Sequence, residues 1–93
     1  MSPLFWRKQK ADPAESTVTL IGKPGCHLCE VAEGVIREVC GETGASWEKW
    51  DISQDEELHR KYWEQIPVIL VDGEQHDFWK VDPDRLRRAL GAA

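Results

Sequence analysis

Two cysteines separated by two residues stand at the junction of two different apolar patterns. The segment Thr17–Ile21 is rich in β-branched and apolar residues and predicts a buried strand. Glycine and proline interrupt the strand at Gly22–Gly25. From Cys26 onward the apolar residues recur at helical spacing, so Cys29 lies one turn into a helix. The sequence therefore predicts a strand, a short break and a helix with both sulfurs at its start.

A single apolar stripe is predicted along this helix. Gly41 is expected to end the helix, and Gly44 to lie in the loop that follows. Charged residues fall mostly outside the stripe, as they do on a helix that packs one side against a sheet. The stripe consists of Leu28, Val31, Ala32, Val35, Ile36 and Val39.

Two more strands and a second helix are predicted in the middle of the chain. Ser46–Ile52 is interpreted as the second strand. Ser53 and Glu56 have the spacing of a capping box, which predicts the start of the second helix. The apolar run Pro67–Val71 predicts the third strand.

A hairpin and a last helix complete the predicted elements. The Asp-Gly pair at positions 72 and 73 is a strong signal for a tight turn, so a fourth strand is expected at about Gln75–Lys80. Asp82 is the predicted cap of the last helix, with Pro83 at its first position and Gly91 at its end. The order β-α-β-α-β-β-α predicts an α/β fold with a four-stranded mixed sheet flanked by helices.

The length of 93 residues allows one small domain. We expect it to span residues 17–91, after a flexible leader, Met1–Ser16, that has no clear apolar period. The leader contains Leu4-Phe5-Trp6 followed by basic residues. We favour loose packing of these three side chains on the domain over a docking or membrane-surface patch.

Charge and cysteine content restrict the class of protein. A net charge of -5 argues against a nucleic-acid partner that is bound through its phosphates. No apolar run approaches the ~20 residues that a membrane span needs, and none near the start has the length of a signal peptide. Three cysteines, an odd number, argue against a secreted disulfide scaffold. We therefore expect a cytoplasmic monomer without a membrane or nucleic-acid partner.

The spacing of Cys26 and Cys29 suits thiol–disulfide exchange. A thiolate at a helix start is stabilised by free backbone amides and the helix dipole, which lowers the pKa of such a cysteine. Cys29, one turn further on, lies within disulfide range, so it can resolve a mixed disulfide formed by Cys26. Lys23 would add positive field. His27 is either a modulator of the neighbouring thiol or an ordinary exposed residue, and the sequence favours neither.

A proline opens the predicted third strand, which would lie beside the first. Ile66–Pro67 is either a cis peptide in a turn or a trans proline at a strand edge, and the residues alone leave the two balanced. A cis bond beside the sulfurs would expose the backbone of Ile66, with which an extended substrate could pair.

These features resemble the thioredoxin superfamily, because the motif KPGCHLC lies between a strand and a helix and IPVILVDG follows some forty residues later. The similarity runs from about Thr17 to Leu90, and the closest match is the glutaredoxin-like group of small bacterial proteins with a PGCHLC motif. The resemblance implies the strand order second, first, third, fourth. It also implies a nucleophilic Cys26, a resolving Cys29 and a cis Pro67 that faces them.

The same resemblance implies a substrate site without a bound cofactor or metal. Lys23 matches the glutaredoxin lysine that contacts a glutathione carboxylate, and Ile66 matches the residue whose backbone pairs with the glutathione cysteine. The substrate would be a protein disulfide or a low-molecular-weight disulfide, with glutathione or another low-molecular-weight thiol as co-substrate. Gly25 stands where thioredoxins have tryptophan, and Leu20 stands where they keep a buried acid.

One segment departs from the glutaredoxin pattern. Glutaredoxins usually carry a double glycine and then an acidic pair after the last strand, where the γ-glutamyl end of glutathione is held. Residues 79–84 of this chain read WKVDPD and contain no glycine. Asp82 or Asp84 is left as the candidate acid.

Two other functions compete with catalysis. The first is metal or iron–sulfur binding through Cys26 and Cys29, with Cys40, His59 and His76 as the remaining soft ligands. Cys40 is eleven residues beyond Cys29 on one helix, hence ~16 Å away, so we expect it in the core instead.

The second alternative is a non-catalytic binding module with tryptophan anchors. Trp47, Trp50 and Trp63 are expected in the core. Trp79 is either an anchor exposed near the sulfurs or packed between sheet and helix, and we favour the packing. A higher reactivity of Cys26 than of Cys40 would separate a catalyst from such a module.

Overall fold

Residues 13–91 are described by a computed structural model, and their strands form one mixed sheet. The strand order is β2-β1-β3-β4, as the resemblance implied. β1 and β2 are parallel, and the other neighbours are antiparallel. The predicted α/β class is therefore confirmed. The strands are β1 Thr17–Gly22, β2 Ser46–Asp51, β3 Val68–Val71 and β4 Glu74–Phe78.

Three α-helices cover the two faces of the sheet. They are α1 His27–Thr43, α2 Glu56–Tyr62 and α3 Pro83–Ala89, with a 3-10 turn, Ile52–Gln54, before α2. No helix within residues 13–91 is long and apolar enough to cross a membrane.

The core is divided by the sheet into two clusters. Successive residues of a strand face opposite sides, so Leu20 packs against α1 and α3, whereas its neighbour Ile21 packs towards α2. The α2 cluster contains Tyr62 and Ile52. The buried residues of the larger cluster are Val18, Leu20, Ala32, Ile36, Val39, Cys40, Ala45, Ile69, Val71, Val81, Leu86 and Leu90.

The chain before β1 is described only from Pro13. Pro13–Glu15 form a 3-10 turn, and Ser16 is buried and accepts the backbone N–H of Ser46 at 3.1 Å. The interpretation of residues 1–12, including Leu4-Phe5-Trp6, lies outside the described residues.

The predicted end of α1 and part of its stripe are wrong. The helix continues through Gly41, and Gly44 ends it with φ +86° and donates its N–H to Cys40 at 2.8 Å. The cap needs a residue in the left-handed conformation, which Gly44 adopts. Gly41 stays inside the helix, where a glycine costs only ~1 kcal/mol relative to alanine. Leu28 and Val31 are half exposed because the buried face is rotated towards Cys29, Ala32, Ile36, Val39 and Cys40.

The predicted capping box of α2 is also wrong. Asp55 is the cap, and its Oδ1 accepts the N–H groups of Glu57 at 2.9 Å and Leu58 at 3.2 Å. Ser53 lies in the preceding 3-10 turn, where it is bonded to Asp51 instead. Because of this turn, α2 begins later in the chain, and Ser53 is too far from the first backbone N–H groups of α2 to cap them.

The hairpin and the last helix agree more closely with the sequence. Asp72 and Gly73 have φ values of 52° and 87°, as a type I′ turn requires. Asp82 caps α3 through the N–H groups of Asp84 and Arg85, which confirms its predicted role. β4 ends at Phe78, two residues earlier than expected.

Two tryptophans expected in the core are exposed instead. Trp63 is 54% exposed at the end of α2, and Trp50 is more than a third exposed on β2. β2 is an edge strand without a fully buried side chain, so the Trp50 ring finds little cover there. Trp47 is partly buried below Arg37, whereas Trp79 is exposed and not packed between sheet and helix as favoured.

His76 should make the stability of the domain sensitive to acid. Burial, followed by the charge of Arg85, lowers the pKa of His76, although Asp77 and Asp82 oppose the shift. Its Nε2 is buried and finds no hydrogen-bond partner within residues 13–91. The unfolded chain therefore binds this proton more readily than the folded one. The free energy of unfolding should fall as pH drops below about 6.5, the ordinary histidine value.

Urea unfolding at pH 7.5 and 5.5 measures this effect. His76→Gln should reduce the difference between the two pH values, and His59→Gln, at an exposed position on α2, is the matched control. An equal difference in wild type and His76→Gln would contradict the assignment.

Candidate active site

Cys26 precedes α1 and caps its first turn. Its backbone is extended, and its Sγ accepts the N–H of Cys29 at 3.2 Å. The preceding turn places Gly25 at φ +78°, a conformation that glycine adopts without strain. The Cys26 sulfur therefore lies where helix amides and the helix dipole stabilise negative charge.

Cys29 is buried, whereas Cys26 is partly exposed. The Cys29 side chain is 6% exposed and packs against Gly22, where an added Cβ would lie 2.7 Å from the Cys29 Sγ. Burial raises the pKa of Cys29 to about 11, helped by the hydrogen bond that its thiol donates to Cys26 and by the charge of Cys26. The backbone N–H and the charge of Lys23 oppose this shift only in part. Cys29 is thus a protonated thiol at neutral pH.

Lys23 and His27 lie on the exposed side of the cysteine pair. Lys23 follows β1, and its side chain forms no ion pair within residues 13–91. His27 is the first residue of α1 and is exposed. Lys23 is close enough for its charge to act on Cys29, and His27 directly follows Cys26 in the chain. The roles of both residues stay predictions.

Pro67 lies across the sheet from the cysteine segment. Ile21 of β1 pairs with Val68 of β3, so the next residues towards that end are Gly22 and Pro67. The Ile66–Pro67 peptide is cis, as the resemblance implied. Ile66 is partly buried, and its backbone N–H and C=O form no hydrogen bond within residues 13–91.

The third cysteine is separate from this pair. Cys40 is buried in the larger core cluster, and burial raises the pKa of its thiol. All three cysteines are free. Within the described part of the chain, no three histidine, cysteine or acidic side chains are grouped so that they could hold a metal ion.

A cleft of about 440 Å³, lined by charged and apolar residues, opens beside Cys29 on the β2 side. Leu20 lies in its wall, together with Glu33 and Lys49, which form an ion pair of 3.1 Å. The sequence analysis missed this pair. The one signal for this pair in the sequence is that Glu33 is four residues, or about one helical turn, beyond Cys29. Lys49 comes from β2, the strand next to β1. The cleft offers carboxylate groups and space for water next to the buried sulfur of Cys29.

A protein-family model described as Glutaredoxin-like domain (DUF836) matches residues 17–91. The chain belongs to this glutaredoxin-like family. Uncharacterized proteins of Mycobacterium tuberculosis and Mycobacterium bovis are 29% identical over 75 residues, which is 75% of this chain and 77% of theirs.

Solved structures agree with the family. This glutaredoxin-like chain matches protein Ne2328 of Nitrosomonas europaea with a TM-score of 0.71 and 25% identity, over 81% of this chain and 91% of the other. Protein XcR50 of X. campestris matches with a TM-score of 0.65 and 32% identity, over 82% of this chain and 97% of the other. A thioredoxin of Halobacterium salinarum, at 22% identity and a TM-score of 0.61 over 81% and 71%, shares the fold.

The segment that differs from typical glutaredoxins has an unusual backbone in this protein. Trp79 occupies the first position after β4 and has φ +69°. Asp82 and Asp84, the candidate acids, belong to the start of α3, where Asp82 is already bonded to two backbone N–H groups and Asp84 to Arg87. The structure thus gives both acids roles within the fold.

Proposed function

We propose that this glutaredoxin-like protein is a dithiol–disulfide oxidoreductase in which Cys26 attacks and Cys29 resolves. The contrast between the two sulfurs carries the proposal. Cys26 is accessible and accepts an amide hydrogen bond at a helix start, whereas Cys29 is buried and protonated one turn later. A nucleophile and a reserve thiol need these two environments.

The reaction transfers two electrons from the thiol pair to the substrate disulfide. The Cys26 thiolate attacks one sulfur of the substrate, whose other sulfur leaves as a thiolate and takes up a proton. A mixed disulfide remains on Cys26. Cys29 then gives up its proton, attacks the Cys26 sulfur and displaces the second substrate thiol. The protein is left with a Cys26–Cys29 disulfide, and the substrate with two thiols.

The proposed substrate-binding residues lie at the same end of the sheet as the two cysteines. The unpaired backbone groups of Ile66, next to Pro67, are suited to pairing with an extended peptide around the substrate cysteine. Lys23, which forms no ion pair within residues 13–91, offers a cation for a substrate carboxylate. Glutathione or another low-molecular-weight thiol would then reduce the Cys26–Cys29 disulfide. We also propose that the protein is a monomer and acts in a reducing cytoplasm.

A redox titration tests this function directly. The protein is equilibrated with glutathione buffers of graded potential, quenched with acid and analysed by intact mass. We expect a reversible loss of two hydrogen atoms, assigned by peptide mapping to Cys26 and Cys29. In the reduced protein, iodoacetamide should modify Cys26 before Cys29 and Cys40, because burial raises the pKa of both of the latter thiols.

The control is the Cys40→Ser variant, which should titrate as the wild type does. If no disulfide forms and Cys26 is alkylated no faster than Cys40, the oxidoreductase proposal is wrong. The fold would then serve as a binding module.

A further inference from the structure

Trp79 lies in the same row of residues as the cysteine segment and Pro67. Val68 of β3 pairs with Phe78 of β4, and the Trp79 N–H donates to the Pro67 carbonyl at 2.8 Å, which extends this pairing by one residue. Gly22, the neighbour of Cys29, is on the other side of Pro67. Adjacent strands are about 4.8 Å apart, so the Trp79 backbone is about 10 Å from Gly22. An indole can reach across much of that distance.

The backbone at Trp79 adopts a conformation that is rare for a bulky residue. Its φ is +69°, and the Lys80 N–H donates to the Phe78 carbonyl at 2.8 Å, which closes a γ-turn centred on Trp79. Besides glycines, Asp72 in the hairpin turn is the one other residue within 13–91 with positive φ. Strain of this kind persists where the surroundings enforce it, and it concentrates at functional sites.

The turn changes the side on which the indole lies. Alternation along β4 would place neighbouring side chains on opposite faces of the sheet. Instead, the rings of Phe78 and Trp79 meet edge to face, with centroids 5.0 Å apart. The indole Nε1–H donates to the Glu64 carbonyl at 3.2 Å, just beyond α2. The ring is therefore fixed beside the Ile66–Pro67 loop.

Burial does not explain this arrangement, because Trp79 is 56% exposed and Phe78 is also exposed. The chain accepts backbone strain and still leaves most of the ring in water. A rigid aromatic surface of this kind offers a large contact area to a ligand at a low cost in conformational entropy. The unpaired backbone of Ile66, one residue before Pro67, defines where an extended chain would run.

We propose that Trp79 determines substrate specificity by packing against an apolar side chain of a polypeptide, next to the cysteine whose disulfide is reduced. This inference rests on the proposed function and names its substrate class. A peptide paired with Ile66 would direct side chains alternately to the two sides of its strand, and one of them would meet the indole. The electrons come from the Cys26–Cys29 dithiol, as above.

The test compares two substrates in single turnover, with reduced protein as the sole electron donor. One is a disulfide-bonded peptide with leucine on both sides of each cysteine, and the other is hydroxyethyl disulfide. Trp79→Gly removes the ring and suits the positive φ, so the variant should fold. We expect the ratio of peptide to hydroxyethyl disulfide rate constants to fall about tenfold, which is the scale of one lost aromatic contact. The fall in the ratio should come from a higher half-saturating concentration of the peptide.

Trp63→Ala is the matched control, because Trp63 is equally exposed but stacks on His59 at the end of α2. It should leave the ratio unchanged, and Trp79→Phe should restore most of it. An unchanged ratio in Trp79→Gly would overturn the inference, as would an equal slowing of both substrates. If the wild type reduces neither substrate, the proposed function itself fails.

Discussion

Cys29→Ser should accumulate a mixed disulfide on Cys26, and Cys26→Ser should form none. The buried Cys29 thiol is the group placed to displace the substrate from Cys26, so its removal stops the reaction after the first step. Removing the nucleophile itself should slow disulfide reduction by at least about a thousandfold. Intact mass after acid quenching, with glutathione disulfide or a peptide disulfide as substrate, measures both outcomes.

Cys40→Ser provides the reference for these variants, because Cys40 is buried away from the pair. Cys40→Ser should trap no adduct, and it should reduce the substrate as fast as the wild type does. An adduct on Cys29 in the Cys26→Ser variant would assign the two roles in the opposite order.

Gly22→Ala should lower the free energy of unfolding by about 1–3 kcal/mol, the usual cost of overpacking a core. The added Cβ would lie 2.7 Å from the Sγ and 3.2 Å from the Cβ of Cys29, and both distances are too short. Cys29 is held between β1 and α1, so either the strand or the helix must shift. Urea unfolding, with the slope compared between variants, measures the change.

Gly34→Ala is the matched substitution for Gly22→Ala. Gly34 is an exposed residue inside α1, and an added Cβ there would meet nothing within 4 Å. Alanine favours the helix by up to about 1 kcal/mol over glycine, so this variant should be more stable than the wild type. Equal stabilities of the two variants would show that Gly22 tolerates a side chain.

Local signals in the sequence were sufficient for much of the fold. β-branched runs predicted β1 and β3, the Asp-Gly pair at 72–73 predicted the hairpin, and Asp82 with Pro83 predicted the start of α3. Each of these features depends on residues adjacent in the chain. Cys26 and Cys29 were found for the same reason, since the geometry that joins them spans one helical turn.

Features that depend on packing between distant segments could not be predicted in this way. Periodicity placed Leu28 in the buried stripe of α1, but the rotation of the helix on the sheet exposes Leu28 and buries Cys29 instead. The ion pair of Glu33 and Lys49 joins a helix to a strand. The strained turn at Trp79 depends on acceptors at Pro67 and Glu64, which no local pattern identifies.

The raised pKa of Cys29 also links the oxidation state of the pair to acidity. Below about pH 11 this sulfur holds a proton that it must release when the Cys26–Cys29 bond forms. At a fixed reduction potential of the surroundings, a rise in pH therefore favours the disulfide over the dithiol, because forming the disulfide releases this proton. Through one buried side chain, the acidity of the compartment becomes part of the driving force for electron transfer.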